Sequence, residues 1–152
     1  MLRQQLNDAL KTAMLSKDVR TVSTVRLILA ALKDRDIAAR PKGISEGVGD
    51  DEIRQMLQSM IKQRRESIAL YEQGGRLELA QQEQEEIAVI ERFLPRQLSE
   101  KEVDEAVAAV VAEAGAASLK DMGRVMALLK ERFAGQMDFT KASARVKATL
   151  GG

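Results

Sequence analysis

The sequence predicts an all-α protein built from two small helical domains. Apolar residues recur at helical spacing along nearly the whole chain. They are mostly Ala, Leu, Val, Ile and Met, with aromatics at only 3%, a composition that suits helix-on-helix packing better than a sheet. The periodicity is interrupted at Phe93-Leu94-Pro95-Arg96-Gln97-Leu98-Ser99, which reads as a helix stop, a short hinge and a capped helix start. The expected division is residues 1–95, a four-helix part, and residues 96–152, a three-helix part.

Each element has its own signals. Leu2, Leu6, Ala9, Leu10, Ala13 and Met14 form the inward stripe of a first helix. Asp18 can cap a second helix, with Val22, Val25, Leu29 and Leu32 inward. Pro41, Gly43, Gly47 and Gly49 mark a polar, mobile loop. Asp50 or Asp51 caps a third helix carrying Ile53, Met56, Leu57, Met60, Ile61 and Ile68, and Gly74-Gly75 ends it. A fourth helix runs from about Arg76 to Leu94. Its first half is polar and its second half carries Ile87, Ile90, Phe93 and Leu94. Ser99 caps the fifth helix with Glu102 in the reciprocal position and Leu98 as the staple, and Gly115 ends it. Ser118 with Asp121 caps the sixth, which stops at Gly135. Gly123 within it reads as a point of close helix packing. A last helix from about Phe139 to Leu150 carries Ala142, Val146 and Leu150.

The residues that are missing limit the chemistry. There is no cysteine, histidine or tryptophan. Thiolate or imidazole zinc sites are thereby excluded, as is the commonest general base. Glu83, Glu85, Glu86 and Glu91 read as a solvated helix face, because carboxylate metal bundles add histidines to inward-facing glutamates. Met56 with Met60, and Met122 with Met126, read as core before they read as an adaptable binding groove. No catalytic, cofactor-binding or metal-binding residue is assigned. The start of the chain is polar and amphipathic, and the longest apolar run, Ala106 to Ala112, is far short of a membrane span. The expectation is a cytoplasmic protein with no membrane partner.

The net charge of +1 is unevenly spread. Residues 1–42 carry +5, residues 43–94 carry −5, residues 95–114 carry −3 and residues 115–152 carry +4, so both ends are basic and could suit a polyanion. Arg54, Lys62, Arg64 and Arg65, and separately Arg26, Lys33 and Arg40, read as solvated faces paired with nearby glutamates. The stronger nucleic-acid signal is the last two helices, with Lys120, Arg124, Lys130, Arg132, Lys141, Arg145 and Lys147. Phe133 and Phe139 beside them read as core, so recognition of RNA backbone or shape is expected rather than base stacking.

The chain resembles the GatB/YqeY family, specifically the free-standing YqeY-like proteins. The resemblance is carried by Phe93-Leu94-Pro95-Arg96-Gln97-Leu98-Ser99 and by Gly115-Ala116-Ala117-Ser118-Leu119-Lys120-Asp121-Met122-Gly123-Arg124-Val125-Met126. Lys62-Gln63-Arg64-Arg65-Glu66-Ser67-Ile68, Tyr71-Glu72-Gln73-Gly74-Gly75-Arg76 and Val25-Arg26-Leu27-Ile28 also fit. The resemblance implies two unlike helical domains, the second similar to the tail domain of the B subunit of the tRNA-dependent amidotransferase. It implies a non-catalytic tRNA-binding or accessory protein, with tRNA, an amidotransferase or an aminoacyl-tRNA synthetase as partner. A protein-interaction module docking on such an enzyme is the alternative. The family label, carbon–nitrogen ligase with glutamine as amido donor, has no visible active site in this chain. The loop Ala134-Gly135-Gln136-Met137-Asp138-Phe139 departs from the family's Gly-Arg-Ala-Asp-Gly pattern, so any phosphate contact there is expected to be weaker or differently oriented.

Overall fold

A computed structural model describes residues 1–151 and contains helices and turns, with no strand among them. The helices are α1 (Leu2–Ser16), α2 (Val19–Ala39), α3 (Asp50–Gln73), α4 (Leu77–Glu91), α5 (Glu100–Glu113), α6 (Met122–Arg132) and α7 (Phe139–Gly151). Single 3₁₀ turns follow α2 at Arg40–Lys42 and precede α6 at Leu119–Asp121. The chain forms two compact units, Met1–Leu94 and Pro95 onward.

The first unit holds α1 to α4 around one apolar core. Leu6, Ile28, Ile53, Met56, Leu57, Ile87 and Ile90 are almost wholly withdrawn from water. Ile28 is a core residue outside the stripe expected for α2. Met14, expected inward, is half exposed, and Ala13 beside it is the buried residue at this end of α1. Asp18 caps α2: its carboxylate accepts from the Thr21 N–H at 3.2 Å and from Thr21 Oγ1 at 2.7 Å. The hydroxyl contact, followed by the backbone one, lowers its pKa. At the end of α3, Gly75 takes φ +72°. The Arg76 N–H then donates to the Tyr71 carbonyl at 2.8 Å and the Gly75 N–H to Glu72 at 3.1 Å, a Schellman closure.

Asp50 and Asp51 do not cap α3. Gly49 holds that position and both aspartates lie in the first turn. Asp50 Oδ1 instead accepts from the Leu2 N–H at 3.3 Å. The starts of α1 and α3 are thus tied at one end of the unit. The loop before α3, expected to be mobile, is tied down as well. Arg3 Nη1 donates to Asp36 Oδ2 at 2.7 Å and Nη2 to the Val48 carbonyl at 3.0 Å. The Val48 N–H donates to Asp36 Oδ1 at 2.9 Å. The Arg3 guanidinium holds the Asp36 carboxyl below its usual range. Gly47 sits under this bridge with φ +98°, and a Cβ there would fall 2.6 Å from Arg3 Nη2.

The acidic stretch of α4 is not a purely solvated face. Glu86 is buried, and its Oε2 accepts from Arg64 Nε at 2.9 Å. Glu83 lies 3.8 Å from the same nitrogen, while Arg20 reaches Glu85 at 3.2 Å and Glu86 at 3.9 Å. Burial, then the neighbouring Glu86 charge, raises the Glu83 pKa. Arg54 and Arg65 do pair at the surface, with Asp51 and Glu91.

The second unit packs α5, α6 and α7 around Val110, Val125, Leu129, Ala142 and Val146. Ser99 and Glu102 form a capping box: the Ser99 N–H donates to Glu102 Oε1 at 3.1 Å and the Glu102 N–H to Ser99 Oγ at 3.2 Å. Asp121 Oδ2 accepts from the Ala117 N–H at 3.0 Å, chiefly for which its carboxyl stays below the usual range. Gly123 is not a packing point, since a Cβ there would meet nothing within 4 Å.

Candidate nucleic-acid interface

The seven basic residues expected to meet RNA all lie in the second unit, but they fall into two groups. The three arginines are bound within the unit. Arg124 Nη2 donates to the Ala114 carbonyl at 2.7 Å and to Asp121 Oδ1 at 3.3 Å. It thereby closes the C-terminus of α5, where unsatisfied carbonyls favour a cation. Arg132 grips Glu113 through both terminal nitrogens, and this holds the Glu113 carboxyl below its ordinary range. Arg145 donates to the Glu100 carbonyl at 2.9 Å and also to Asp104. Arg124 and Arg132 therefore work at one end of α5 and Arg145 at the other.

The four lysines are different. Lys120, Lys130, Lys141 and Lys147 are all exposed, and among the described residues none joins an ion pair. Lys120 lies in the turn before α6, Lys130 near the end of α6, and Lys141 and Lys147 on α7. They are spread over the unit rather than gathered into one cleft. A compact ammonium on a flexible stem suits a phosphate as a point charge, without the bidentate geometry of arginine.

The Ala134–Phe139 loop is engaged by its own unit. The Leu98 N–H donates to the Gln136 carbonyl at 2.9 Å and Gln97 Nε2 donates to the Gly135 carbonyl. Met137 is buried in the core. This loop is a clasp for the segment before α5, a long-range role its local sequence does not signal. The sequence reading also missed a shallow hollow of about 370 Å³ between α6 and α7, lined by Met126, Lys130, Phe139, Thr140 and Ser143. Met126 and Phe139 pack against the core as expected, yet each is only partly buried and shows one side to the hollow.

No helix among the described residues is long and apolar enough to cross a membrane. No group of three or more Asp or Glu side chains among them is arranged to hold a metal ion.

Curated relatives share this sequence in part. The chain is 35% identical over 89 residues to the protein named Altered inheritance of mitochondria protein 41, mitochondrial, of Eremothecium gossypii, covering 59% of this chain and 46% of the relative. It is 31% identical over 110 residues to the protein of that name in Lachancea thermotolerans (71% and 57%). It is 32% identical over 111 residues to the one in Kluyveromyces lactis (71% and 57%). The chain thus matches about half the length of these relatives. The sequence pattern of the YqeY-like proteins matches far more of it, residues 3–150, with the caps, the proline stop and both helical units inside that span, and the chain belongs to the YqeY-like family.

Proposed function

We propose that this protein is a non-catalytic tRNA-binding accessory protein related to the tRNA-dependent amidotransferase, located in the cytoplasm. In this reading residues 1–95 and 96–152 are two domains, and the second meets the RNA backbone. The observation that supports it is the division among the basic residues. The arginines hold the unit together, and Lys120, Lys130, Lys141 and Lys147 remain exposed and available to phosphate. Four ammonium groups spread over a small helical unit suit shape and backbone recognition of a folded RNA. The reading is tested by titrating tRNA into the purified chain at several salt concentrations. Affinity that falls steeply with salt supports it. No binding at low salt, or affinity indifferent to salt, rejects it. Glutamine-dependent amidation of misacylated tRNA by the chain alone would overturn the non-catalytic part.

A second reading, docking on an amidotransferase or an aminoacyl-tRNA synthetase, is favoured by the first unit. Leu15 and Val19 flank the α1–α2 turn and Leu70 and Leu77 flank the α3–α4 turn, all more than 60% exposed. The Leu2–Asp50 contact ties the starts of α1 and α3. Exposed apolar side chains mark a contact surface where they form one contiguous patch. This reading predicts capture of such an enzyme in a pull-down that survives RNase.

A further inference from the structure

We infer that the hollow between α6 and α7 seats one unstacked nucleotide of the bound RNA. The inference rests on the RNA reading for the choice of ligand and on the hollow itself for the place. Met126 and Lys130 stand one turn apart on α6; Phe139 and Ser143 stand one turn apart on α7, with Thr140 beside them. About 370 Å³ is near the small end of ligand sites, room enough for one base.

The lining supplies what each part of a nucleotide requires. Phe139 and Met126 offer an aromatic face and a polarizable thioether to a base. The Thr140 and Ser143 hydroxyls both donate and accept, which suits a base edge or the 2′-hydroxyl that separates RNA from DNA. Lys130 is exposed and in no ion pair among the described residues, and it meets the phosphate. The start of α7 is not what attracts it, because Asp138 Oδ1 already accepts from the Thr140 N–H at 2.9 Å. Phe139 therefore takes on stacking as well as packing.

The test uses the full chain with amide NMR. Adenosine and uridine 5′-monophosphates are titrated in, with inorganic phosphate as control, alongside tRNA binding. The expected result is saturable movement of the Lys130, Thr140 and Ser143 amides with either nucleotide and none with phosphate. Ser143→Leu, which fills the hollow, and Lys130→Gln should each weaken nucleotide and tRNA binding by about fivefold. Only Lys130→Gln should reduce the salt slope, by about one. Unmoved amides at millimolar nucleotide, or Ser143→Leu binding like the parent, overturn the inference. If tRNA binds while the hollow fails these tests, the RNA reading stands without the hollow. If nucleotides bind there and tRNA does not, the hollow stands and the tRNA reading falls.

Discussion

Arg64 Nε donates to Glu86 Oε2 at 2.9 Å, with side chains only 13% and 11% exposed. This ion pair joins α3 to α4 inside the first unit. Arg64 Nη1 also donates to the Met60 carbonyl at 3.2 Å, so the guanidinium is anchored from two directions. Removing one partner of a buried pair leaves the other charge stranded, which costs ~3–5 kcal/mol when burial is complete. Arg20 remains near Glu86 at 3.9 Å and offsets part of that. Arg64→Met should therefore cost about 2 kcal/mol, read by urea unfolding. Adding Glu86→Leu should recover most of the loss. A double variant as unstable as the single one would show that the loss lies elsewhere than in the stranded carboxylate.

Thr24 gives the opposite expectation. It is fully buried on α2, and among the described residues its hydroxyl has no hydrogen-bond partner. Valine has the same shape without the polar atom, so Thr24→Val should stabilise the protein by about 1 kcal/mol. Thermal unfolding reads the sign directly, and a lower Tm would mean that the hydroxyl has a partner in solution.

Glu102 ties stability to pH. Arg96 holds its carboxylate through two hydrogen bonds, at 3.0 and 2.8 Å, and the Ser99 N–H adds a third. Arg96 first, then Ser99, lowers its pKa from 4.5 to about 2. The folded state therefore binds this proton more weakly than the unfolded state. The stabilisation is complete above pH 4.5 and disappears as pH falls toward 2. Glu102→Gln should lower Tm at pH 7, and the gap to the parent should close across that window. A gap constant with pH would count against the pair.

Substitutions at the basic residues should separate by side chain. Replacing Lys120, Lys130, Lys141 and Lys147 together by Gln should leave Tm nearly unchanged. It should reduce the salt slope of tRNA binding by about three, at somewhat under one per lost phosphate contact. Arg132→Gln should instead lower Tm, because it frees Glu113. Equal salt slopes for the parent and the four-lysine variant would place the RNA contact elsewhere.

Helix punctuation was legible in the sequence. The Ser99–Glu102 box and the Asp18 cap lie where the residues indicate. So does the Gly75 closure. Each is a device of three to six consecutive residues, so the pattern and the geometry are the same information. Asp50 shows the limit: a residue suited to capping is diverted when a backbone N–H from another helix needs an acceptor.

The charged residues show what tertiary structure decided. Composition placed seven bases between Lys120 and Lys147 but could not divide them. The partners of Arg132, Arg64 and Arg145 lie 19, 22 and 41 residues away. Whether such a side chain stays in water or joins the fold depends on which helices pack together, which no local pattern states. The same holds for the α6–α7 hollow, where two partly buried core positions acquire an open side only once the helices are side by side. The sequence by itself determined the helices, several of their ends and most of the core, because caps and periodicity are short-range. Packing decided which cations remain free for a ligand, because ion pairing across helices depends on distances that only the folded chain sets.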